Sequence, residues 1–325
     1  ASLFASGTQT LVNNGTISAD VGGGRIRITD SAVTNNNRLE ARNGATLELD
    51  SAVTNGASGT IVADNGVVLQ SGMRVTGGAI NTTNGGVFRV TNNSANYLDA
   101  TKVTGTLDMA TNSSSVSRVV NGLSLDGTAN INNNSVLIFE NTQTLSGTGA
   151  IVFGSSAGNR IALDATGTTT FGANTTVRGE NGTIGASLFA SGTQTLVNNG
   201  TISADVGGGR IRITDSAVTN NNRLEARNGA TLELDSAVTN GASGTIVADN
   251  GVVLQSGMRV TGGAINTTNG GVFRVTNNSA NYLDATKVTG TLDMATNSSS
   301  VSRVVNGLSL DGTANINNNS VLIFE

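Results

Sequence analysis

Two carboxylates with an arginine between them are the first residues whose types and spacing could do chemistry. Asp20, Arg42 and Asp64 recur every 22 positions, each closing a similar stretch: Thr16-Ile17-Ser18-Ala19-Asp20, Arg38-Leu39-Glu40-Ala41-Arg42 and Thr60-Ile61-Val62-Ala63-Asp64. Asp20 and Asp64 could act as acid and base in polysaccharide cleavage if burial raised the pKa of one of them. They stand two repeats apart with an arginine between, and nothing in the sequence argues for that burial. The plainer reading is a ladder of charges on a solvated face, where opposite neighbours contribute roughly 0.2–1 kcal/mol each and like charges repel. A second such column reads Arg27, Glu48, Gln70, Arg89.

Other chemistry is largely excluded. The chain has no histidine and no cysteine, so it can build no Ser-His-Asp triad, His-based zinc site, disulfide or thiol nucleophile. Val21-Gly22-Gly23-Gly24-Arg25 follows no βαβ pattern and reads as a turn, not a phosphate cradle. It also lacks the acidic residue that calcium-binding solenoids carry there. Asn14-Gly15-Thr16 and Asn92-Asn93-Ser94 fit the glycosylation pattern, as chance allows in so Asn- and Thr-rich a chain. Thr8-Gln9-Thr10 suggests an ice-binding array, but aligned Thr-x-Thr pairs do not recur coil after coil. Tyr97 and Tyr282 are the only tyrosines and the candidates for an adhesive patch, at an expected insertion between coils. No cofactor or metal is expected.

The elements that position these residues follow from composition and repetition. Charged residues make up 12% of the chain, against about 25% in an ordinary soluble domain. Apolar residues make up 37% and are regularly placed, so a core is available despite the 43 glycines. The net charge is −4, and Lys102 and Lys287 are the only lysines. Nucleic acid, which needs clustered cations, is therefore not an expected partner. No apolar run approaches the ~20 residues of a membrane span.

Residues 186–325 repeat residues 1–140 without a change, an offset of 185 positions. The expected organisation is a first module, 1–185, and a second, incomplete copy, 186–325, in one continuous solenoid cut from a longer tandem array. Within the module an apolar landmark returns at Ile17, Leu39, Ile61, Ile80, Leu107, Ile131, Ile151 and Val177, with gaps of 19 to 27 residues. Eight coils of about 23 residues fit one module, or about 14 coils in all. Each coil reads as three short strands. Thr16–Asp20 is a first strand, Arg25–Ile28 a second, and a third ends at an apolar residue such as Leu11, Val33, Leu125 or Leu145. Two positions beyond that residue come Asn13, Asn35 and Asn55, then Gly77, Gly105, Gly127 and Gly147. Asn and Gly reach left-handed backbone angles cheaply, so this column is expected to turn one corner and to stack its asparagines as a ladder. Hairpins would not repeat residue types at this interval, and β-branched residues with frequent glycine disfavour helix. The fold class expected is all-β, a right-handed parallel β-helix with Ile17, Leu39 and Ile61 inside.

Leu11-Val12-Asn13-Asn14-Gly15-Thr16-Ile17-Ser18-Ala19, Val53-Thr54-Asn55-Gly56-Ala57-Ser58-Gly59-Thr60-Ile61-Val62-Ala63 and Asn43-Gly44-Ala45-Thr46-Leu47-Glu48-Leu49 resemble filamentous-haemagglutinin-like proteins, and Thr142-Gln143-Thr144-Leu145-Ser146-Gly147-Thr148-Gly149-Ala150-Ile151 resembles segments of giant β-solenoid surface proteins. The former are large bacterial exoproteins exported by two-partner secretion or as autotransporter passengers. The resemblance implies a right-handed β-helix, an extracellular or cell-surface place, and a role in adhesion or matrix assembly. The function expected is a non-catalytic repeat of a fibre, stalk or surface filament. An adhesin face for glycan or a cell-surface protein is the alternative, and a polysaccharide-active enzyme the third reading. The partners expected are further copies of the module in cis, with lateral association into bundles.

Overall fold

The computed structural model describes residues 9–325, which contain no helix. Thr8 of the Thr8–Thr10 pair lies outside the described residues. Parallel strands stack about 22 residues apart in sequence and form a β-solenoid of about 14 coils. The residues divide into two compact units, one ending at Val152 and the other running Phe153–Glu325. The border of the sequence repeat, at Gly185 and Ala186, lies inside the second unit.

In the first unit the inward residues of successive strands form three apolar columns. The first is Ile17, Leu39, Ile61, Ile80, Val103 and Leu125. The second is Ile26, Leu47, Val68, Phe88, Leu107 and Ala129. The third is Leu11, Val33, Val53, Val75, Leu98 and Val119. Alternation along each strand sends these side chains to one face, and parallel stacking sets each on its counterpart. From Leu39 onward the first column is essentially sealed from water, which stabilises the stack by about 1.5–3 kcal/mol per large side chain. Ile17, on the first described coil, is half-buried, whereas its copy Ile202 is fully buried.

The second unit repeats the pattern. Val177 stacks on Ile202, followed by Leu224, Ile246, Ile265 and Val288. Alongside runs Leu196, Val218, Val238, Val260 and Leu283.

Three expectations are corrected by the register. Ile80 stacks on Val103, while Leu107 stacks on Phe88 one face further on, and Ile131 stacks on Met109. Leu125 accordingly belongs to the first column, not to a third strand, and Leu145 pairs with Leu123 on that same face. The cause is the strand Tyr97–Met109, which passes two corners unbroken while pairing with three strands of the coil before it. Its corners, at Ala100 and Gly105 (φ 50° and 100°), lie inside the strand with no break to mark them, so the landmark slides by one face.

Gln70 is also misplaced by the sequence pattern. It pairs with Leu49 and is fully buried, and Leu69 takes the outward place between Glu48 and Arg89. A slip of one residue moves a side chain to the opposite face. Finally, Asn13, Asn35 and Asn55 stack as expected but keep ordinary strand backbone. The left-handed angles fall on Asn43, Asn65 and Asn84 (φ 56°, 49° and 51°) at a different corner. Gly105 and Gly127 also stack on each other away from the asparagine column, following the Thr104–Asp126 pair.

Candidate functional site

The buried polar groups form a ladder. Asn13 Nδ2 donates to Asn35 Oδ1 and Asn35 Nδ2 to Asn55 Oδ1, both at 2.8 Å. Each amide also donates to a backbone carbonyl across the corner, Asn13 to Arg38 and Asn35 to Thr60, both at 3.0 Å. An interior amide is tolerated only when its hydrogen bonds are made, and here each asparagine serves the next. The second copy repeats this through Asn198, Asn220 and Asn240.

The charges pair across coils. Arg42 and Asp64 are cross-strand neighbours, and Asp20 lies one residue beyond the Ala19–Ala41 pair. Arg42 Nη1, however, lies 3.7 Å from Glu40 Oε1, and Arg38 bonds the same carboxylate. Glu40 is nearly buried, which alone would raise its pKa. The hydrogen bond from Arg38 and the charges of Arg38 and Arg42 outweigh burial and lower it. Asp64 accepts hydrogen bonds from Asn84 Nδ2 at 2.6 Å and Thr83 Oγ1 at 3.1 Å. Those bonds, with Arg42 and Arg38 nearby, hold it below the usual carboxylate range. A carboxyl so held is ionised at neutral pH and poorly suited to be a general acid.

Elsewhere Arg25 and Arg27 converge on Glu48, and Arg27 bonds Asp50. Arg74 meets Asp99 at 2.9 Å, Arg89 meets Asp108 at 2.7 Å and Lys102 meets Asp126 at 2.8 Å. Sequence reasoning missed Asp99, Asp108 and Asp126. The usable signal was a cation followed 19 to 25 residues later by a carboxylate, which is one coil.

Tyr97 lies in a strand, not an insertion. The Arg74 guanidinium is 4.2 Å from its ring centre and that of Arg118 is 5.1 Å away, one from each neighbouring coil. Cation–π contacts therefore occupy the ring, and it is no free platform for a sugar. Tyr282 sits likewise between Arg259 and Arg303.

The first unit has a groove of about 620 Å³ lined by Lys102, Asn121, Ser124, Thr144 and Ser146. It forms where corners are short. Val75 to Ile80 and Leu98 to Val103 each take five residues, against eight from Val53 to Ile61. At Ala100 the ladder slips and the backbone turns left-handed (φ 50°), an arrangement costing about 1–3 kcal/mol for a residue other than glycine. Lys102 and Asp126 neutralise each other at its edge, leaving hydroxyls and amides. The same place in the second unit, by Lys287, Asn306 and Ser309, holds about 430 Å³. Among the described residues no group of three or more acidic side chains could hold a metal ion.

No family model, curated protein or solved structure matches the chain.

Proposed function

We propose that the chain is a structural, non-catalytic length of a bacterial extracellular fibre, stalk or surface filament. The observation that carries this reading is where the polar chemistry goes. Asparagine amides and arginine–carboxylate pairs join one coil to the next, so the side chains that could act on a substrate serve to hold register. An unchanged second copy adds length without new lateral chemistry, as expected of an array in which each repeat contacts only its neighbours. The resemblance to filamentous-haemagglutinin-like exoproteins supports the same place and role. On this reading the partners are further modules in cis and, laterally, other rods. Immunogold electron microscopy of the producing cells should label surface filaments, and label confined to the cell interior would overturn the reading. Release of oligosaccharides from a polysaccharide, abolished by Asp20→Asn or Asp64→Asn, would overturn its non-catalytic part.

The groove at Lys102 favours a second reading, an adhesive rod that takes a neutral glycan through hydroxyls and amides. Saturable binding of the 325-residue chain to arrayed glycans, lost on filling the groove with Ser124→Trp and Ser309→Trp, would support it. Absence of binding by the unaltered chain would count against it.

A further inference from the structure

Asn-Gly pairs recur along the chain, and their chemistry needs nothing but water. The glycine nitrogen can attack the asparagine Cγ. An N–Cγ bond forms, the Cγ–Nδ2 bond breaks, and ammonia leaves with the proton that the glycine nitrogen gives up. Water then opens the five-membered ring at either carbonyl, leaving aspartate or isoaspartate. Asparagine counts among the thermolabile residues for such reasons. Ring closure requires a glycine N–H that is free to lose its proton, and an N–H held in a hydrogen bond is not.

In the first unit most of these nitrogens are engaged or enclosed. Gly44 N donates to Asn65 O at 2.5 Å, Gly56 N to Asn35 O at 2.8 Å, Gly15 N to Asn13 Oδ1 and Gly122 N to Gln143 Oε1, both at 3.2 Å. Gly66 is buried. Gly85 differs. It is exposed, its N–H has no hydrogen-bond partner among the described residues, and the space where a Cβ would stand is open to 4 Å.

Stacking explains the exception. Corner loops pile up through Gly23 N to Gly44 O, Gly44 N to Asn65 O and Asn65 N to Thr83 O. The next coil crosses this corner inside the unbroken strand Tyr97–Met109, with Asn81 paired to Thr104 and Phe88 to Leu107. No loop lies over Asn84-Gly85, so the stack of loops ends there.

We infer that Asn84-Gly85, and Asn269-Gly270 at the same place in the second copy, are sites of spontaneous deamidation selected by the fold. Gly270 has the same open surroundings, and Asn269 Nδ2 bonds Asp249 as Asn84 Nδ2 bonds Asp64. Both residues of the Asn84-Gly85 pair are left-handed (φ 51° and 80°), and the open space lets the loop rotate as the ring closes. The product replaces an amide donor beside Asp64 with a second carboxylate. A hydrogen bond becomes a repulsion at the Thr83–Asp64 end of the ladder.

The test is to incubate the folded 325-residue chain at mildly alkaline pH, digest it with trypsin and locate new acidic residues by fragment mass spectrometry. Peptides Val75–Arg89 and Val260–Arg274 have one sequence and report both sites together. Aspartate and isoaspartate should accumulate there several-fold faster than at Asn43, Asn55 or Asn121, and the advantage should vanish in denaturant. Equal rates in the folded chain, or no conversion at Asn84 while the unfolded chain converts, would overturn the inference. Gln143→Leu frees the Gly122 nitrogen and should bring Asn121 up toward the rate at Asn84. An unchanged Asn121 rate would refute the role assigned to the hydrogen bond.

Discussion

Asp108 accepts the Nε of Arg89 at 2.7 Å from the preceding coil, and the same carboxylate binds the loop that follows it. Thr111 Oγ1 donates at 2.7 Å, and the Ala110 and Thr111 nitrogens at 3.0 Å each. One nearly buried side chain thus joins two coils and a loop. Arg274 and Asp293 repeat the arrangement at 2.7 Å.

This pair makes stability sensitive to acid. Burial alone would raise the Asp293 pKa, but the hydrogen bonds from Arg274, Thr296 and Ala295 outweigh it and lower the value from 3.8 to about 2. Asp108 is lowered for the same reasons. A carboxyl depressed in the folded state stabilises above its unfolded value and loses that contribution as pH falls through the folded one. For Asp293 the contribution is on the order of 2 kcal/mol. Thermal melts should therefore hold steady down to the ordinary carboxylate range and drop below it. The chain carrying Asp108→Asn and Asp293→Asn should show a shallower drop, and an equally steep one would contradict the assignment.

Removing the middle rung of the asparagine ladder should cost more than one hydrogen bond. Asn35→Ala leaves the Asn13 amide without its acceptor and the Asn55 carbonyl without its donor, both in a buried setting. A loss of about 1–3 kcal/mol is expected in denaturant titration. A neutral result would mean that water replaces the missing amide.

Facing can be tested at Ile61, which is fully enclosed. Ile61→Asp buries a charge without a partner and should destabilise by several kcal/mol, on the order expected for such groups. Arg42→Glu, on an exposed side chain 3.7 Å from Glu40, should cost no more than about 1 kcal/mol. Denaturation midpoints of the two variants should differ widely, and similar values would refute the assigned faces.

Gly127 marks a corner where coils approach closely. A Cβ there would strike the backbone of Gly105, whereas at Gly15 it would meet nothing within 4 Å. Gly127→Val should therefore lower stability by about 1–3 kcal/mol, and Gly15→Ala should stay within about 0.5 kcal/mol. Comparable melting temperatures for the two would disprove the close approach.

Much of the fold was legible because a parallel stack writes its period into the sequence. Ile17, Leu39 and Ile61 lie at a constant interval with alternating neighbours, and the asparagine ladder follows from identical residues at that interval. Legibility failed where punctuation failed. Tyr97–Met109 and Val116–Ile131 run through their corners as single strands, with Gly105 and Gly127 paired inside the ladder, so spacing alone does not assign Leu107 and Leu125 to their faces. A coil one residue shorter shifts every face, which hides the burial of Gln70 from the spacing. The charged positions Asp20, Arg42 and Asp64 could be aligned, but the partners of Arg42 and Asp64 could not. Whether Arg42 meets Asp64 or Glu40 depends on side-chain reach within a strand, which periodicity does not encode.

The hydrogen bonds of the asparagine ladder and the ion pairs from Arg74 to Asp99 or Arg89 to Asp108 all span about one coil. Under tension applied along the polypeptide they bear load in succession, with the outermost coil peeling before the next is strained. Each released coil of about 22 residues frees roughly 70 Å of contour, while its loss shortens the stack by only about 4.8 Å. Such a solenoid lengthens in many small ruptures and absorbs mechanical work without failing at once.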